Sequence, residues 1–455
     1  MLTNKKLTLK MSDDLLKEGE EVLLSGWIRG IRDNGSIGFI DFNDGTQFKN
    51  IQLVLNDKTA DFEKVSHFRY GSSIEVKGNI HLTPEAKQPF EVIVSEAKLL
   101  GDYAEDSPLQ KKRASFEFLR EIAYLRPRTN TFSALNRVRN KLAYAIHTYF
   151  QKRDFLYIQT PILTSNDAEG AGESFKVCTD FKKPDEFFNR PVSLTVSGQL
   201  HVEAFALAFK DVYTFGPTFR AEKSNTARHA SEFWMIEPEI SFADLSDDMD
   251  LMESFLKYII GYVLKECKDE MEFFNTFIDK GVLEKLNKLL NSSFSRLTYT
   301  EGIEILKAAQ EKGKKFEYNN ITWGMDLQSE HERYLCETHI NGPLFLIDYP
   351  KDIKAFYMKL NADKKTVAAC DLLVPGIGEI CGGSQREDDY ELLKERMVEQ
   401  RNVEELDWYL NLRKYGGCSH AGFGLGFDRL LMYITGLSNI RDVQPYPRTP
   451  GGLKY

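Results

Sequence analysis

The sequence is poor in cysteine, and its few cysteines form no recognisable site. Six occur among 455 residues, with no Cys-x-x-Cys pair and no histidines at zinc-site spacing: Cys178, Cys267, Cys336, Cys370, Cys381 and Cys418. Zinc modules and disulfide-linked secreted domains both need closely spaced cysteines, so neither is indicated. We expect reduced, mostly buried thiols.

Long apolar runs are also missing. No window approaches the run of about 18 apolar residues that a membrane helix requires, and the N-terminus lacks the pattern of a signal peptide. With 42% apolar and 28% charged residues, the chain is expected to be a cytosolic globular protein. Its length exceeds what one hydrophobic core usually organises, which predicts two domains.

Two common nucleotide-binding fingerprints are absent as well. No Gly-x-Gly-x-x-Gly opens a βαβ unit and no Walker lysine loop occurs, so a bound nucleotide would need an antiparallel sheet and other residues. The formal net charge of −9 argues against a uniformly positive surface. Nucleic acid stays open as a partner, because binding depends on where Lys and Arg cluster.

The N-terminal part does contain a series of short strands. Five alternating apolar runs follow one another between Glu21 and Leu100, separated by turn residues such as Asp33-Asn34-Gly35. Five strands in about 80 residues suit a closed barrel of the OB type, which binds single-stranded nucleic acid on an exposed face. A barrel without a ligand fits this segment equally well.

The remaining chain predicts a larger domain of the α+β class. Residues 102–130 are polar and charged, as a hinge or linker would be. Apolar residues then recur at steps of three and four, which predicts a helix over 133–153, and strand-like runs alternate with helical runs beyond it. The predicted domains are therefore residues 1–101, the linker 102–130, and residues 131–455.

One segment of the larger domain mixes charged and aromatic residues. Two strand-like runs joined by a polar loop carry the following charged side chains: Arg220, Glu222, Arg228, His229, Glu232 and Glu237. Arginine forks bind phosphate oxygens well, and Phe233 supplies a ring for stacking. A solvated charged hairpin is the alternative. The apolar residues that border these charges favour a half-buried site, where charges need partners.

Two later segments carry further polar chemistry. Asp371 and Glu379 stand in an otherwise apolar stretch, and paired carboxylates beside a phosphate site commonly hold Mg²⁺. Gly382 and Gly383 follow, where a backbone without side chains can approach a ligand closely. Glycines at positions 422, 424 and 426 then lead into a helix that contains Arg429. A glycine-rich turn alone could equally reflect tight strand-to-helix packing.

Together these segments resemble motifs 2 and 3 of the class II aminoacyl-tRNA synthetases. The stretch from Phe155 to Phe175, with Pro161, resembles motif 1, which builds the homodimer interface in that family. The resemblance covers nearly the whole chain and points to the subgroup for aspartate, asparagine and lysine. It implies an N-terminal OB-fold barrel that binds the tRNA anticodon, followed by a catalytic domain built on an antiparallel sheet flanked by helices.

The resemblance also implies residue roles in ATP binding. It assigns ATP to eight residues: Arg220, Glu222, Arg228, His229, Phe233, Glu379, Gly383 and Arg429. Arg220 would stabilise the charge that develops on the α-phosphate, and Asp371 with Glu379 would hold Mg²⁺. Catalysis by Arg220, Arg429 and Glu379 would then consist of positioning and electrostatic stabilisation, without a proton-transfer residue. The usual asparagine of the metal-binding segment is Gly376 in this chain.

The resemblance favours asparagine as the amino acid. Aspartyl members carry a lysine two positions after the leucine at 200, where it pairs with the substrate carboxylate, and this chain has Val202 there. Burying a carboxylate without that cation is costly, whereas a neutral amide suffers much less. The amino-acid pocket implied by the resemblance comprises Glu169, Gln199, Glu222, Glu237, Ser384 and Arg386. Glu222 would accept from the substrate amide and Arg386 would donate to its carbonyl.

In the barrel, Phe39 and Gln52 match positions that contact anticodon bases in the family, with Arg29 nearby. Stacking plus one amide contact supplies a few kcal/mol of base preference. Phe39 could alternatively be a core residue. Residues 268–320 show no recognisable chemistry.

The expected activity is ATP-dependent ligation of L-asparagine to tRNA(Asn) through an adenylate, which releases AMP and pyrophosphate. Three alternatives stay open. The first is an aspartyl enzyme of relaxed tRNA specificity, the second is an ammonia-using relative that synthesises asparagine, and the third is a non-enzymatic RNA-binding relative.

Overall fold

The structure, a computed structural model, describes most of the chain: residues 2–3, 16–86, 88–112, 114–166, 174–400 and 406–455. The chain divides into two compact units, Met1–Arg137 and Val138–Tyr455. All six cysteines are free thiols, of which Cys178 and Cys418 are half-buried and the other four are buried. Among the described helices, none has both the length and the apolar character needed to cross a membrane.

The first unit contains a closed barrel. Its elements are β1 (Leu2–Thr3), β2 (Glu21–Asp33), β3 (Gly38–Asn43), β4 (Ile51–Leu55), α1 (Phe62–Ser66), β5 (Ser73–Leu82) and β6 (Phe90–Gly101). The strands pair in the order β1-β2-β3-β4-β6-β5, and β5 also pairs with β2, which closes the sheet. The five predicted strands and the closed barrel are confirmed.

Side chains alternate between the barrel core and the outer face. In β3, Ile40 and Phe42 are fully buried in the core, whereas Phe39 and Asp41 are only partly buried. Successive residues of a strand point to opposite faces, so Phe39 points outward. The alternative placement of Phe39 in the core is therefore wrong.

The second unit is built around a large sheet. The helix α2 (Phe116–Glu121) still belongs to the first unit, and α3 (Asn130–Gln151) crosses the boundary between the units. The strands of the second unit are β7 (Leu156–Tyr157), β8 (Leu163–Thr164), β9 (Ser193–Leu194), β10 (Asp211–Phe219), β11 (Glu232–Ser241), β12 (Ser295–Thr298), β13 (Leu344–Pro350), β14 (Thr366–Val374), β15 (Gly378–Gln385) and β16 (His420–Gly426). Eight of them pair in the order β12-β13-β14-β15-β16-β11-β10-β7, and β8 pairs with β9.

Helices flank this sheet. They are α4 (Gln199–Phe209), α5 (Leu245–Glu266), α6 (Lys268–Phe277), α7 (Val282–Asn291), α8 (Tyr299–Glu311), α9 (Ser329–Arg333), α10 (Tyr390–Glu399), α11 (Asp407–Lys414) and α12 (Phe427–Thr435), with a π-helix at Tyr334–Ile340. Reciprocal bonds between Asp244 and Asp247 cap the start of α5, whose buried side is apolar.

The predicted antiparallel arrangement holds for the six central strands of the large sheet. Its edge pairs β12–β13 and β7–β10 are parallel, which the sequence analysis did not anticipate. Parallel neighbours need a crossover connection, and α8 and α4 lie in the two connecting segments. The fold is an α+β fold whose sheet is mixed only at its edges.

Phe42 and Phe39 allow a test of this barrel. Replacing Phe42 by alanine should destabilise the barrel by about 3–5 kcal/mol, the usual cost of deleting a buried aromatic ring. Phe39→Ala, on the same strand, should cost less than about 1 kcal/mol because its ring points outward. Urea unfolding followed by circular dichroism measures both, and equal losses would contradict this assignment of faces.

Candidate active site

The three chemistry-bearing segments lie on neighbouring strands. Strand β15 pairs with β14 on one side and with β16 on the other, and β16 continues through β11 to β10. In this register Gly382 lies opposite Asp371 and Gly424. Gly426 lies opposite Met235. Antiparallel pairing thus assembles one continuous face from positions far apart in the sequence.

Arg220 and Phe233 face each other across the β10–β11 hairpin. The Arg220 amide donates to the Ser231 carbonyl at 3.0 Å, and its guanidinium carbon lies 5.5 Å from the centre of the Phe233 ring. An arginine fork beside an aromatic ring offers one group for a phosphate and another for a base. This pair therefore has the parts that a nucleotide site needs.

Further cations surround this pair. Arg228 Nη1 donates to Ser329 Oγ at 3.4 Å, and Arg429 Nη1 donates to the Glu379 carbonyl at 3.4 Å. Burial lowers the pKa of both Arg228 and His229, and the Arg429 charge lowers both pKa values further. Positive groups that repel one another in this way are stabilised by a bound polyanion.

Asp371 and Glu379 converge on Gly382. A Cβ atom on Gly382 would lie 3.1 Å from Asp371 Oδ1 and 3.5 Å from Glu379 Oε1. Burial and the Asp371 charge raise the pKa of Glu379, and the Arg429 and Lys354 charges oppose that rise. Two carboxylates that meet above a glycine fit the oxygen ligands that Mg²⁺ prefers.

Lys354 is a member of this site that the sequence analysis missed. Its ammonium donates to Asp371 Oδ2 at 2.8 Å and lies 3.9 Å from the Tyr349 ring centre. Burial lowers the pKa of Lys354, but the Asp371 carboxylate outweighs burial and raises it. Lys354 stands in an irregular segment after β13, so no periodic pattern marked it.

Two glutamates that the sequence analysis also missed hold the turn between β14 and β15. Glu332 accepts a hydrogen bond from the Glu379 amide at 3.2 Å, and Glu337 accepts one from the Gly376 amide at 2.8 Å. Side chains five positions apart diverge on an α-helix. Glu332 lies in α9 and Glu337 in the π-helix at Tyr334–Ile340 that follows it, and the wider turn of a π-helix lets both carboxylates reach the same turn.

This glutamate clamp, Glu332 with Glu337, explains two features of the site. Gly376 has a φ of +94°, a conformation that glycine and asparagine adopt most readily, so glycine can replace the usual asparagine here. Burial and the neighbouring Glu379 carboxylate raise the pKa of Glu332 to about 7. The turn that carries Glu379 is therefore held by a second layer of carboxylates.

Glu237 and Gln199 occupy the corner where α4 begins. The buried Glu237 carboxylate accepts hydrogen bonds from the Gly198 amide at 2.9 Å and from the Ser197 hydroxyl. Burial raises the pKa of Glu237 and these bonds oppose the rise. The Gln199 side chain donates to Glu203 Oε1 at 3.1 Å. The two residues predicted to hold the amino acid therefore lie together.

Arg386 is held by neighbouring protein groups. Its Nε donates to Glu239 Oε2 at 3.2 Å, its Nη2 to Glu239 Oε1, and its Nη1 to Ser384 Oγ at 2.7 Å. Burial raises the pKa of Glu239 and the Arg386 charge opposes this. A guanidinium has five N–H groups, so two remain for a ligand. Glu239 was missed, although it shares a strand face with Glu237.

Gly383 lies on the other side of β15 from the paired carboxylates. A Cβ atom on Gly383 would clash with Met252 and would lie 2.6 Å from Asp248 Oδ2, both on α5. Glycine at this position makes room for the helix rather than for a ligand. Any contact of Gly383 with ATP would have to use the backbone.

Three further positions bear on the amino-acid pocket: Glu222, Val202 and Glu169. Glu222 is half-buried in the loop after β10, and its charge opposes the lowered pKa of His229. Val202 is fully buried in an apolar cluster with Ile158, Ala206 and Val212. A lysine ammonium at position 202 would have to leave that cluster or unfold it. Glu169 lies outside the described residues.

A cavity of about 570 Å³ adjoins this corner. Its lining includes Gly198, Thr214 and Glu237, together with residues 160–163 and Trp234. Three large apolar side chains that line it are about two-fifths exposed: Ile162 41%, Leu163 44% and Trp234 39%. Such a patch next to a polar pocket is typical of an interaction surface.

On the barrel, Phe39 and Gln52 share the outer face. The Arg32 guanidinium lies 5.7 Å from the Phe39 ring centre, and the register pairs these two residues. Gln52 lies opposite Asp41 and donates to Glu91 Oε2 at 2.9 Å. An aromatic ring, an amide and charged groups thus form one surface, as nucleobase recognition requires.

Arg29 is not part of this face. Strand β2 bulges at Arg29, which has no partner residue in β3, and a bulge redirects the side chain. The Arg29 guanidinium donates to the Arg128 carbonyl at 3.0 Å. Arg32 accompanies Phe39 instead, so the expected grouping of Arg29 with Phe39 and Gln52 is not what the structure brings together.

Comparisons with known proteins match both parts of the chain. A family model described as tRNA synthetases class II (D, K and N) matches residues 115–450, and a model described as an OB-fold nucleic acid binding domain matches residues 22–100. The chain is 59% identical over 458 residues to the asparagine-tRNA ligase of Clostridium beijerinckii, covering 98% of this chain and 97% of that protein. It is 58% identical over 450 residues to the asparagine-tRNA ligase of Alkaliphilus oremlandii, covering 96% of both.

Solved structures agree with these matches. The asparaginyl-tRNA synthetase of Pyrococcus horikoshii complexed with asparaginyl-adenylate has a TM-score of 0.85 and 35% identity, covering 96% of both chains. The Entamoeba histolytica asparaginyl-tRNA synthetase in complex with asparaginyl-adenylate has a TM-score of 0.81 and 28% identity, covering 98% of this chain and 99% of that one.

The glutamate clamp predicts a local change on mutation. Glu337→Ala should speed hydrogen exchange of the Gly376 amide by roughly 10- to 100-fold, because a hydrogen bond to a charged group is worth about 1.5–3 kcal/mol. Glu330→Ala is the matched control, since this neighbouring carboxylate binds the amides of Glu317 and Tyr318 instead. Mass-spectrometric hydrogen exchange measures both variants. Unchanged protection of Gly376 in Glu337→Ala would contradict the clamp.

Proposed function

Since this chain belongs to the class II tRNA synthetases of the D, K and N group, we infer that it joins L-asparagine to tRNA(Asn). The reaction uses ATP, passes through asparaginyl-adenylate and releases AMP and pyrophosphate. The observation that carries this inference is the convergence of Arg220 and Arg429 with the carboxylates of Asp371 and Glu379, because a polyphosphate and its metal ion need both charges together.

In the activation step, the asparagine carboxylate attacks the α-phosphorus of ATP. Arg220 binds the α-phosphate and stabilises the negative charge that develops there. Phe233 stacks on the adenine, and Arg429 covers its other face. Arg228 and His229 bind the outer phosphates. The nucleophile is already ionised, so the protein contributes orientation and electrostatic stabilisation and transfers no proton.

We propose that Asp371 and Glu379 hold Mg²⁺. When bound, the ion neutralises the outer phosphates and orients them. The two carboxylates converge above Gly382, and Lys354 matches part of their charge. The glutamate clamp keeps the turn before Glu379 in place, so that the carboxylate does not have to be ordered at the moment of binding.

Asparagine is the amino acid that this pocket fits best. The Arg386 charge is already matched by Glu239, so little net positive charge is left for a substrate carboxylate. Val202 adds no cation nearby. A neutral amide can use the two free N–H groups of Arg386 and donate to Glu222, while Glu237 and Gln199 hold the α-ammonium side.

The proposed domain roles follow the predicted boundaries. Residues 1–101 bind the anticodon on the face that carries Phe39 and Gln52. Residues 102–130 link this domain to residues 131–455, which carry out catalysis. The protein acts in the cytoplasm. The ring of Phe39 stacks on one base, and the Gln52 amide reads a base edge. In this role Arg32, rather than Arg29, supplies the neighbouring positive charge.

Pyrophosphate exchange tests the proposed activity. With Mg²⁺ and without tRNA, exchange should depend on asparagine and be at least tenfold slower with aspartate. Exchange driven by aspartate would support the aspartyl alternative, and ammonia-dependent synthesis of asparagine would support the synthetase-like one.

Arg429→Ala should lower the rate of pyrophosphate exchange by roughly 10²–10³-fold, as expected for a lost charge-stabilising donor. Arg296→Ala, which removes a surface ion pair with Asp250, is the control and should leave the rate unchanged.

A homodimer is the further proposal, supported by the exposed apolar patch beside the 570 Å³ cavity. Replacing Leu163 by aspartate should convert the dimer to monomer, because a charge buried at an interface is strongly unfavourable. Phe277→Asp is the control, since Phe277 is 64% exposed and lies on α6, outside this patch. Sedimentation analysis distinguishes the species, and a monomeric unmodified protein would overturn the proposal.

A further inference from the structure

The bulged residue of β2 opens onto a second site on the first unit. A cavity of about 220 Å³ lies beside Arg29 and is lined mainly by Trp27, Arg29, Tyr70, Tyr103, Leu109 and Arg128. Three of these side chains are aromatic and two are guanidinium groups. Aromatic rings alternating with arginines are typical of surfaces that bind single-stranded nucleic acid.

The walls of this cavity are held in place before any ligand arrives. The Tyr103 hydroxyl donates to the Leu109 carbonyl at 2.7 Å, and the Tyr103 ring meets Tyr70 edge-on at 6.2 Å. Gly71 lies under the Tyr103 ring, where a Cβ atom would come within 2.7 Å of Cε2, and its φ is +89°. Glycine is therefore required here, and the rings need little reorganisation on binding.

The charge in the cavity is positive. Within the described residues, the contacts of Arg29 and Arg128 are to neutral groups: Arg29 donates to a carbonyl, and Arg128 lies 5.9 Å from the Tyr103 ring centre. Burial lowers the pKa of Arg29, and the charges of Arg128 and Arg137 lower it further. The adjacent Arg69 differs, since it pairs with Asp102 and Glu105. An anion would relieve the repulsion that the charges of Arg128 and Arg137 exert on Arg29.

The size of the cavity limits the kinds of ligand that it can hold. Sites for whole small molecules usually measure about 300–1,000 Å³, so this cavity suits one flat ring with an attached anion. Trp27 is 41% exposed, which leaves part of its ring available for stacking. A nucleobase and its phosphate match both the rings and the positive charge.

We propose that this cavity binds one unpaired nucleotide of the tRNA, with its base against Trp27 and Tyr70 and its phosphate against Arg29 and Arg128. The proposal rests on the proposed function for the identity of the nucleic acid. It adds a second contact to the barrel, because the bulge at Arg29 separates this cavity from the outer face that carries Phe39. Two separate nucleotides of one tRNA would then be held by the same unit.

Binding of a tRNA(Asn) transcript to the full-length protein tests the cavity. Tyr70→Ala should weaken binding on the order of tenfold, since stacking on one aromatic ring is worth about 1–3 kcal/mol. Arg128→Gln should reduce the slope of log K against log salt by about 0.7, the value for one phosphate contact with a single strand. This variant keeps the backbone carbonyl of residue 128, which accepts the hydrogen bond from Arg29. Arg69→Gln is the control. It removes a neighbouring charge that is already paired with Asp102 and Glu105, so it should change neither the affinity nor the salt slope.

Two further measurements separate the possible outcomes. Asparagine-dependent pyrophosphate exchange should be unchanged in all three variants, which shows that they fold and that the activation site is intact. Transcripts with single abasic positions then locate the nucleotide that the cavity binds. Removing the base of that nucleotide should weaken transcript binding to the unmodified protein but not to the Tyr70→Ala variant. Unchanged affinity and salt slope in both Tyr70→Ala and Arg128→Gln would overturn the cavity proposal. Absence of exchange in the unmodified protein would instead overturn the proposed function.

Discussion

Burial of charge is the constraint on which the second unit depends. Glu239 and Glu203 are fully buried, and an unpaired carboxylate in such a place would be strongly destabilising. Arg386 pairs with Glu239, while Arg413, His420 and Tyr409 all donate to Glu203. Burial opposes the ionisation of Glu203, but the Arg413 and His420 charges outweigh it and lower its pKa.

This network also fixes the position of the site. Its members come from α4, β11, the end of β15, α11 and β16, so the hydrogen bonds connect elements that are distant in sequence. Because Arg386 is held by Glu239 and Ser384, its remaining N–H groups point in a defined direction. Such a pocket rejects a wrong amino acid because that substrate leaves hydrogen-bonding groups or charges of the pocket unmatched. This discrimination is more selective than apolar contact alone.

Local irregularities of the backbone decide several functional positions. The bulge at Arg29 removes that side chain from the face of Phe39 and places it in the aromatic cavity. The π-helix at Tyr334–Ile340 brings Glu332 and Glu337 to one side, where both bind the turn before Glu379. Both irregularities break the regular periods of two or 3.6 residues on which reading a sequence relies, so neither could be anticipated from spacing.

The sequence by itself determined the five strands of the barrel, the α+β class and the segments that carry the arginines and the paired carboxylates. These features rest on local composition and periodicity, which a single sequence displays directly. Only the tertiary structure decided that Gly383 makes room for α5, that Glu239 neutralises Arg386, that Lys354 pairs with Asp371, and that Arg32 replaces Arg29 beside Phe39. Each of these depends on strand register or on contacts between distant segments, and such pairings are set by the packing of the whole fold.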